Sequence, residues 1–521
     1  MKRFAVFMAL CVVISAAGAA DPPATIFERA GAPSAANAID QIVFARLKEE
    51  GVRPARLCSD AVFVRRAYLD VIGTLPTAAE AAAFLDATDP DKRSRLIDHL
   101  LDREEYADYW AMRWGDVLRI KAEFPINLWP NAVQAYHRWV RTALRDNMPY
   151  DRFAREMLTS SGSNFRVPQV NFYRGAQSKE PPALARVAAL TFMGDRMTSW
   201  PEDRREDLAT FFRRVGFKRT AEWKEEIVYF DMSSEATRRA VLPDGVVAPI
   251  PPERDPREVF ADWLISPKNP WFARCAVNRI WFWLMGRGIV HEADDIRPGN
   301  PPSHPKLLAL LEKELVRSGY DVKHVLRLIL NSSTYQLSSI PRGTEAPDAD
   351  LFACYALRRL DAEVLIDALC QISGTTEEYS SQIPEPFTWI PPRMRSIALP
   401  DGSITSSFLE MFGRPSRDTG TLSERNNQPT AAQRLHLLNS SHIREKIERG
   451  PGLRLFQRRA WRDPRKAADA LYLTILSRRP TPEELKTLKA HADSQKGQRG
   501  ANAFVDMVWA LVNQPEFLYR H

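Results

Sequence analysis

The chain has 521 residues and a formal net charge of +7, with 72 Lys and Arg residues against 65 Asp and Glu residues. Because basic and acidic residues are interleaved along nearly every helical stretch, no concentrated basic patch is predicted and we expect no nucleic-acid partner. At roughly 150 residues per domain, the length predicts about three units with real hydrophobic cores.

The N-terminus has the pattern of a secretory signal peptide, residues 1–20. Two basic residues precede a run of apolar or small residues, which predicts cleavage near Ala19 or Ala20. Leu10 rather than a small residue precedes Cys11, which argues against lipid attachment. No later segment has about 18 consecutive apolar residues, so no membrane span is predicted. We therefore expect a secreted or periplasmic protein.

Residues 37–242 form the first predicted domain, which is helical because apolar residues recur there at helical spacing. Thr77 followed by Glu80 supplies a helix-start signal within it. A short strand is expected within residues 217–230. The aromatic residues of the helices have helical spacing and are predicted to pack in the core: Trp110, Trp114, Tyr136 and Trp139.

A proline-rich linker, residues 243–256, separates this domain from a second helical domain, residues 257–521. Prolines crowd the linker, and they interrupt any helical period. Residues 376–408 are also proline-rich and irregular, and short strands are expected there. The second domain ends in a helical hairpin, residues 466–521. The predicted fold class is mainly α, with two packed helical units and minor irregular or short-strand segments.

The two ends of the mature chain share a sequence pattern. Residues 68–80 match residues 472–484 in the spacing of a Tyr-Leu pair, a Pro-Thr pair and a glutamate. Each stretch is followed by an apolar helix that ends in a glutamate and an aromatic residue. This predicts related helical hairpins at both ends. The alternative is a common helix-turn-helix pattern that occurs twice.

Four cysteines follow the signal peptide at wide spacings: Cys58, Cys275, Cys354 and Cys370. One or two disulfides could form in an oxidising compartment, but Cys275 and Cys370 lie in apolar surroundings that favour buried thiols. The chain contains no Cys-x-x-Cys-His, so covalent c-type haem is excluded and no cofactor is predicted. It also lacks the zinc, phosphate-loop and serine-hydrolase signatures, and no metal site is predicted.

The segment 412–439 concentrates charged and amide side chains in a loop punctuated by glycine and proline. Such groups are costly to bury alone, so they satisfy one another or a polar ligand. The predicted residues for binding an anion or a polyol are Arg414, Arg417, Arg425, Asn426 and Asn427. Asp418, Glu424 and His436 are the candidate catalytic residues, with His436 as the proton carrier. The alternative is an internal ion-pair network that braces the loop against a helix.

The loop 124–131 predicts a second ligand-binding segment. Trp129 lies between Asn127 and Asn131, and prolines bound the loop. An aromatic ring with two neighbouring amides suits a polar ligand such as a sugar. Unlike the other tryptophans of this region, Trp129 is therefore predicted to contact a ligand.

Longer motifs resemble two known families. Arg66-Ala-Tyr-Leu-Asp-Val-Ile-Gly73 and Glu105-Tyr-Ala-Asp-Tyr-Trp-Ala-Met-Arg-Trp114 resemble domain-of-unknown-function family 1549. The motifs that resemble family 1553 are Asn278-Arg-Ile-Trp281, Gly286-Arg-Gly288, Asn331-Ser-Ser-Thr-Tyr335 and the segment 412–442. The pair covers nearly the whole mature chain in the expected order.

The resemblance implies an exported protein of the kind abundant in planctomycetes, without an established activity. Many members have a haem-type Cys-x-x-Cys-His where residues 194–204 of this chain contain neither cysteine nor histidine. Many also have Cys-x-Cys-Glu-Arg where this chain has Thr421-Leu-Ser-Glu-Arg425. Both departures remove thiols, which argues against a redox or haem function.

We therefore expect a non-catalytic binding or assembly component of the periplasm or cell surface. Its partner would be a polysaccharide or another exported protein. The alternative is a polysaccharide-active enzyme in which Asp418 or Glu424 acts with His436. A more distant third hypothesis is an electron-transfer relative that has lost haem.

Overall fold

The computed structural model describes residues 23–234, 238–343, 347–460, 463–494 and 501–521. The predicted signal peptide lies outside these ranges. Within them the protein is mainly α-helical, as the apolar spacing predicts, and its sheets are short. No helix in the described ranges is long and apolar enough to cross a bilayer.

The first ten helices form the N-terminal helical unit. Several begin at residues whose side chains accept hydrogen bonds from the free backbone N–H groups of the first turn, as at Asn37 and Thr77. Their bounds are α1 (Ala38–Glu49), α2 (Asp60–Val71), α3 (Ala78–Asp86), α4 (Lys92–Leu101), α5 (Glu104–Val117), α6 (Pro130–Arg145), α7 (Tyr150–Thr159), α8 (Asn171–Arg174), α9 (Pro181–Met193) and α10 (Glu202–Thr210).

Two small antiparallel sheets lie beside the N-terminal unit, and one of them includes a strand from within that unit. Strands β1 (Gly162–Ser163), β2 (Val215–Arg219) and β3 (Glu226–Phe230) pair in the order β1-β3-β2, which confirms the strand expected within residues 217–230. Strands β4 (Arg239–Val241) and β5 (Val247–Pro249) form a hairpin. The proline-rich range 243–256 therefore contains a paired strand.

The remaining helices form the C-terminal helical unit. Their bounds are α11 (Pro256–Leu264), α12 (Phe272–Met285), α13 (Pro305–Arg317), α14 (Val322–Leu330), α15 (Ala362–Ser373), α16 (Ser407–Met411), α17 (Ala431–Asn439), α18 (Ser441–Arg449), α19 (Pro451–Ala460), α20 (Pro464–Leu476), α21 (Pro482–Ser494), α22 (Ala501–Val512) and α23 (Pro515–Leu518). Residues 376–408, for which the sequence predicts short strands, contain no strand but one isolated β-bridge between Ser380 and Thr405.

The C-terminal segment returns to the middle of the molecule. Strand β7 (Tyr519–Arg520) pairs antiparallel with β6 (Arg358–Arg359). This pairing brings the Arg520 side chain into the interior, where it is 2% exposed. The chain end is therefore part of the packed structure.

One aromatic core connects the two helical units. The rings of Trp110 and Trp114 on α5 lie 5.6 and 5.5 Å from the ring of Trp283 on α12. Trp110, Trp114 and Tyr136 are buried, which confirms their predicted place in the core. Trp139 is half-buried and stacks on Phe153 at 4.9 Å.

The repeated sequence pattern corresponds to two helical hairpins that pack together. Helix α3 of the first contacts α20 of the second. Arg65 on α2 donates hydrogen bonds to the carbonyl oxygens of Ile475 (2.7 Å) and Phe517 (2.9 Å). The two chain ends therefore stabilise each other.

The four cysteines among the described residues are free thiols: Cys58, Cys275, Cys354 and Cys370. Cys58 and Cys275 are buried. Burial raises the pKa of Cys275 to about 11, so this thiol stays protonated and unreactive at neutral pH. Cys275 is thus a buried thiol, as its apolar surroundings predict, whereas Cys370 is only partly buried.

Candidate functional site

The arginines of the 412–427 loop point inward to carboxylates on two helices. Asp116 on α5 accepts hydrogen bonds from Arg417 Nε at 3.0 Å and Arg425 Nη2 at 2.7 Å. Glu363 on α15 accepts from Arg425 Nη1 at 2.7 Å and lies 3.4 Å from Arg414 Nε. All five side chains are less than a tenth exposed. The loop is thus anchored to helices from both units.

Asp361, just before α15, is a further buried carboxylate that binds several arginines. Its carboxylate accepts hydrogen bonds from Arg113 Nη2 (2.5 Å), Arg520 Nη2 (2.8 Å) and Asn427 Nδ2 (2.7 Å). Burial would raise the pKa of Asp361, but Arg113, Arg520 and Arg425 outweigh it and hold the pKa well below its usual range. Asp361 is therefore ionised at neutral pH.

These contacts belong to one connected group, which we name the buried ion cluster. It joins residues 70 to 520 through shared carboxylates. Its members are the carboxylates Asp70, Asp116, Asp361 and Glu363 and the arginines Arg113, Arg358, Arg414, Arg417, Arg425 and Arg520.

A cleft of about 390 Å³ opens onto this cluster. We name it the arginine cleft after the side chains that line it: Arg113, Arg358, Arg359, Arg425 and Arg520, together with Asp361. Gly286, which ends α12 at φ +81°, leaves room for one of them, since a Cβ there would lie 2.4 Å from Cδ of Arg358. Only glycine combines this backbone conformation with the close approach.

A second cleft, of about 350 Å³, lies on the other side of the 412–427 loop. We name it the serine cleft after Ser381, Ser403 and Ser416, which line it with Lys121 and Glu123. The backbone N–H of Glu123 donates to Ser403 Oγ at 3.0 Å, and its carboxylate accepts from the backbone N–H of Gln382 at 3.0 Å. Hydroxyl and charged groups therefore face this cleft together.

Near the serine cleft, three aromatic side chains form a group that we name the aromatic surface: the exposed Trp223 and Phe387 and the half-buried Trp129. The Trp129 ring lies 6.4 Å from Trp223 and 5.3 Å from Phe387. Trp223 is 69% exposed and Phe387 is 48% exposed. Lys224 Nζ lies 5.1 Å from the Trp129 ring. Clustered exposed aromatic rings are typical of binding surfaces rather than of inert ones.

The backbone that holds Trp129 is strained. Trp129 has φ 76° and ψ 145°, a region that almost only glycine adopts. Its N–H donates to the carbonyl oxygen of Ala122 at 3.3 Å, and the N–H of Leu128 donates to that of Lys121 at 3.2 Å. These bonds hold the backbone of Leu128 and Trp129 beside residues 121 and 122, and Lys121 lines the serine cleft. Strain of this kind, roughly 1–3 kcal/mol per residue, is concentrated at functional sites.

The structure brings two of the three candidate catalytic residues together. Ser416 Oγ donates to Asp418 Oδ2 at 2.7 Å and lies 2.5 Å from Glu424 Oε1. Asp418 also binds Lys121 Nζ at 2.6 Å. His436 makes different contacts, with Nε2 3.4 Å from His442 Nδ1. Its ring packs against the aromatic rings of Phe408 and Phe412, so it is not part of the group formed by Ser416, Asp418 and Glu424.

The predicted ligand-binding residues occupy different places. The side chains of Arg414, Arg417 and Arg425 are buried in the ion cluster, and Arg425 also lines the arginine cleft with Asn426 and Asn427. Asn127 and Asn131 are exposed in the loop before α6 and at its start. Trp129 belongs to the aromatic surface.

Sequence reasoning missed the partners of these residues. Trp223 and Phe387 were not selected, although each is an aromatic residue in a polar or proline-rich stretch, which is a usable signal. Arg113, Arg359 and Arg520 lie in apolar helical or terminal segments and give no such signal. They were identified only by their place around the cleft.

The sequence families follow the same division into two units. Residues 38–200 match the family PSCyt2, a protein of unknown function (DUF1549). Residues 256–492 match the family PSD1, a protein of unknown function (DUF1553). The chain combines a DUF1549 region with a DUF1553 region. Asp116 and Trp129 belong to the DUF1549 region, while Arg417 and Phe387 belong to the DUF1553 region, so both the ion cluster and the aromatic surface need the two regions together.

No curated protein and no solved structure matches the chain. Residues 194–201 connect α9 to α10 at the end of the DUF1549 region. Asp195 accepts hydrogen bonds from the N–H of Met197 at 2.7 Å and from Trp200 Nε1 at 2.9 Å. The hypothesis of a relative that has lost haem stays a prediction.

Proposed function

We propose that this protein is an exported, non-catalytic component that binds polysaccharide through the aromatic surface. The observation that carries the proposal is the group in which the exposed rings of Trp223 and Phe387 lie beside the half-buried ring of Trp129. Sugar rings present C–H groups on one face and hydroxyl groups at their edges. An exposed aromatic ring packs against the C–H face, and hydrogen-bonding side chains bind the hydroxyl groups.

The serine cleft supplies those hydrogen-bonding groups beside the rings. Trp129 is held next to Lys121 and Glu123 by the backbone bonds of its loop. The side chains of Lys121, Glu123 and Ser403 line the cleft. The neighbouring positions of aromatic rings and of donors and acceptors support a saccharide ligand over a purely apolar one.

The contacts of the candidate catalytic residues support binding without catalysis. Glu424 accepts hydrogen bonds from the N–H groups of Asp418 (2.9 Å) and Thr419 (3.2 Å), as a carboxylate that braces a loop does. A general acid and base must both reach the reacting group. His436 instead packs beside other aromatic rings.

The test is binding of mature protein, residues 21–521, to immobilised cellulose, xylan, pectin and alginate. We expect retention on at least one polymer. Trp223→Ala and Phe387→Ala should each weaken it about fivefold, because each removes roughly 1 kcal/mol of aromatic contact. Leu435→Ala is the matched control, since Leu435 is 59% exposed on α17, outside the aromatic surface. Absence of binding, or equal binding by all variants, contradicts the proposal.

The same polymers test the enzymatic alternative. A polysaccharide-active enzyme would release reducing ends, and Asp418→Asn and Glu424→Gln would abolish the release. The proposal predicts no release by the wild-type protein. Turnover that depends on Asp418 and Glu424 would replace the binding function with the enzymatic one.

A further inference from the structure

The arginine cleft has a surplus of positive charge. Asp361 is the one carboxylate among the described residues that line it, against five arginines. The other carboxylates of the buried ion cluster do not neutralise this excess positive charge, because the cluster contains six arginines and only four carboxylates. Arg359 adds a seventh cation. A cleft built in this way attracts anions.

Arg359 is the clearest case of an uncompensated charge. It is 6% exposed and has no ion-pair partner among the residues that the structure describes. Its Nη groups donate to Gln433 Oε1 and to the carbonyl oxygen of Phe412, while Nε has no acceptor. A buried cation held by neutral acceptors alone is costly. Burial lowers the pKa of Arg359, and the nearby charges of Tyr519 and Asp361 offset this only in part.

Other groups at the cleft also lack partners. A guanidinium has five N–H donors, and among the described residues only Nη2 of Arg113 has acceptors, which are Asp361 and the Tyr109 hydroxyl. Asn427 donates to Asp361 through Nδ2, but its Oδ1 is buried without a hydrogen-bond donor. The cleft therefore offers donors for an oxyanion and one acceptor for a hydroxyl group.

We propose that the arginine cleft binds a small hydroxylated oxyanion of about the size of one sugar ring, carrying a carboxylate, sulfate or phosphate group. The volume of 390 Å³ suits such a ligand. Arginines bind these groups through paired N–H donors. Trp283, which is 5% exposed, forms an aromatic part of the cleft wall. The site is separate from the aromatic surface, and either can exist without the other.

Titration calorimetry on the mature protein tests the site with galacturonate, glucose 6-phosphate, glucose 6-sulfate and inorganic sulfate, with glucose as the neutral control. We expect binding of the anions but not of glucose. The preferred anion identifies which oxyanion the cleft selects. Arg359→Gln should weaken this binding about tenfold, since it removes a charged hydrogen-bonding group. Arg479→Gln is the matched control, because Arg479 is half exposed and pairs with Asp86 elsewhere.

A second pair of variants keeps the test valid if Arg359→Gln fails to fold. Gln428 is exposed at the cleft rim. Gln428→Glu should weaken anion binding and Gln428→Lys should strengthen it, each by about threefold, as expected for a solvent-exposed charge. Absence of binding by every anion, or binding that none of these changes alters, overturns the proposal. Binding to the polymers above is measured separately, so the two proposals fail independently.

Discussion

Arg417 shows how a residue chosen as a ligand-binding candidate takes part in the internal structure. It is fully buried, and its guanidinium donates to Asp116 and to the carbonyl oxygens of Met112, Ile120 and Pro400. Gly402 leaves room for it, because a Cβ there would lie 2.8 Å from Cδ of Arg417. Every direction around the side chain is thus occupied by protein.

We predict that Arg417→Met lowers the free energy of unfolding by about 3–5 kcal/mol, because it leaves Asp116 buried with one partner fewer. Urea denaturation followed by circular dichroism measures the change. In the control Arg479→Met, the loss should stay below about 1 kcal/mol, because the Arg479–Asp86 pair is exposed. Equal losses in the two variants would show that the buried pair contributes no more than a surface one.

At the scale of elements, the two related hairpins use the same capping contacts. The N–H of Thr77 donates to Glu80 Oε2 at 2.7 Å, and the N–H of Glu80 donates to Thr77 Oγ1 at 3.2 Å. Thr481 and Glu484 repeat this arrangement with the same two distances. The repeated Pro-Thr-x-x-Glu pattern thus specifies a helix start at both ends of the chain.

An arginine joins each capping glutamate to a second glutamate. Arg103 binds Glu80 and Glu105, while Arg478 binds Glu484 and Glu516. The two arginines do not occupy equivalent positions in the repeated sequence pattern. Arg103 follows its capping pair and precedes α5, whereas Arg478 comes before its capping pair and precedes α21. The likeness of the hairpins therefore extends to an ion pair that the aligned sequences do not show.

We predict that Thr77→Ala and Thr481→Ala each reduce stability by about 1 kcal/mol, because each removes a side-chain cap. Thermal unfolding in a calorimeter measures both. Thr487→Ala is the control, as Thr487 lies in the exposed middle of α21 and bonds only to the carbonyl of Glu483. That change should be neutral or slightly stabilising, because alanine is the better helix former. If Thr487→Ala reduces stability as much as Thr77→Ala and Thr481→Ala do, the loss of a cap is not the cause of their destabilisation.

At the scale of the whole molecule, the DUF1549 and DUF1553 regions share both core and charges. Trp110 and Trp114 of the first pack against Trp283 of the second. Asp116 pairs with Arg417 and Arg425, which both lie in the DUF1553 region. Separating the regions would expose the aromatic core and leave buried charges without partners.

We predict that residues 21–242 and 257–521, produced separately, each lack a cooperative unfolding transition. Asp116 would lose both of its ion-pair partners, and the tryptophan core would be open to water. Urea titrations monitored by tryptophan fluorescence test this, with the two pieces mixed as the control. Mixing should restore a transition. A half that unfolds cooperatively alone would show that the regions are independent domains.

The sequence by itself determined the features that depend on neighbouring residues. Helical spacing identified Trp110 and Trp114 as core, and the Thr-x-x-Glu pattern located helix starts, since both signals act within one or two turns. The composition of residues 412–427 left two interpretations open, a ligand-binding site and an internal ion-pair network, and did not choose between them. The mainly α fold follows from the same local rules.

Only the tertiary structure decided which groups meet. Arg417 binds a carboxylate 301 residues earlier in the chain, and Arg520 reaches Asp361 across 159 residues. The aromatic surface joins Trp129, Trp223 and Phe387 from three separate segments. Pairing over such distances depends on how the helices pack, because one sequence offers many arginine and carboxylate combinations of similar energy. The packing selects the combination that buries the apolar surface and leaves a cleft between the charges.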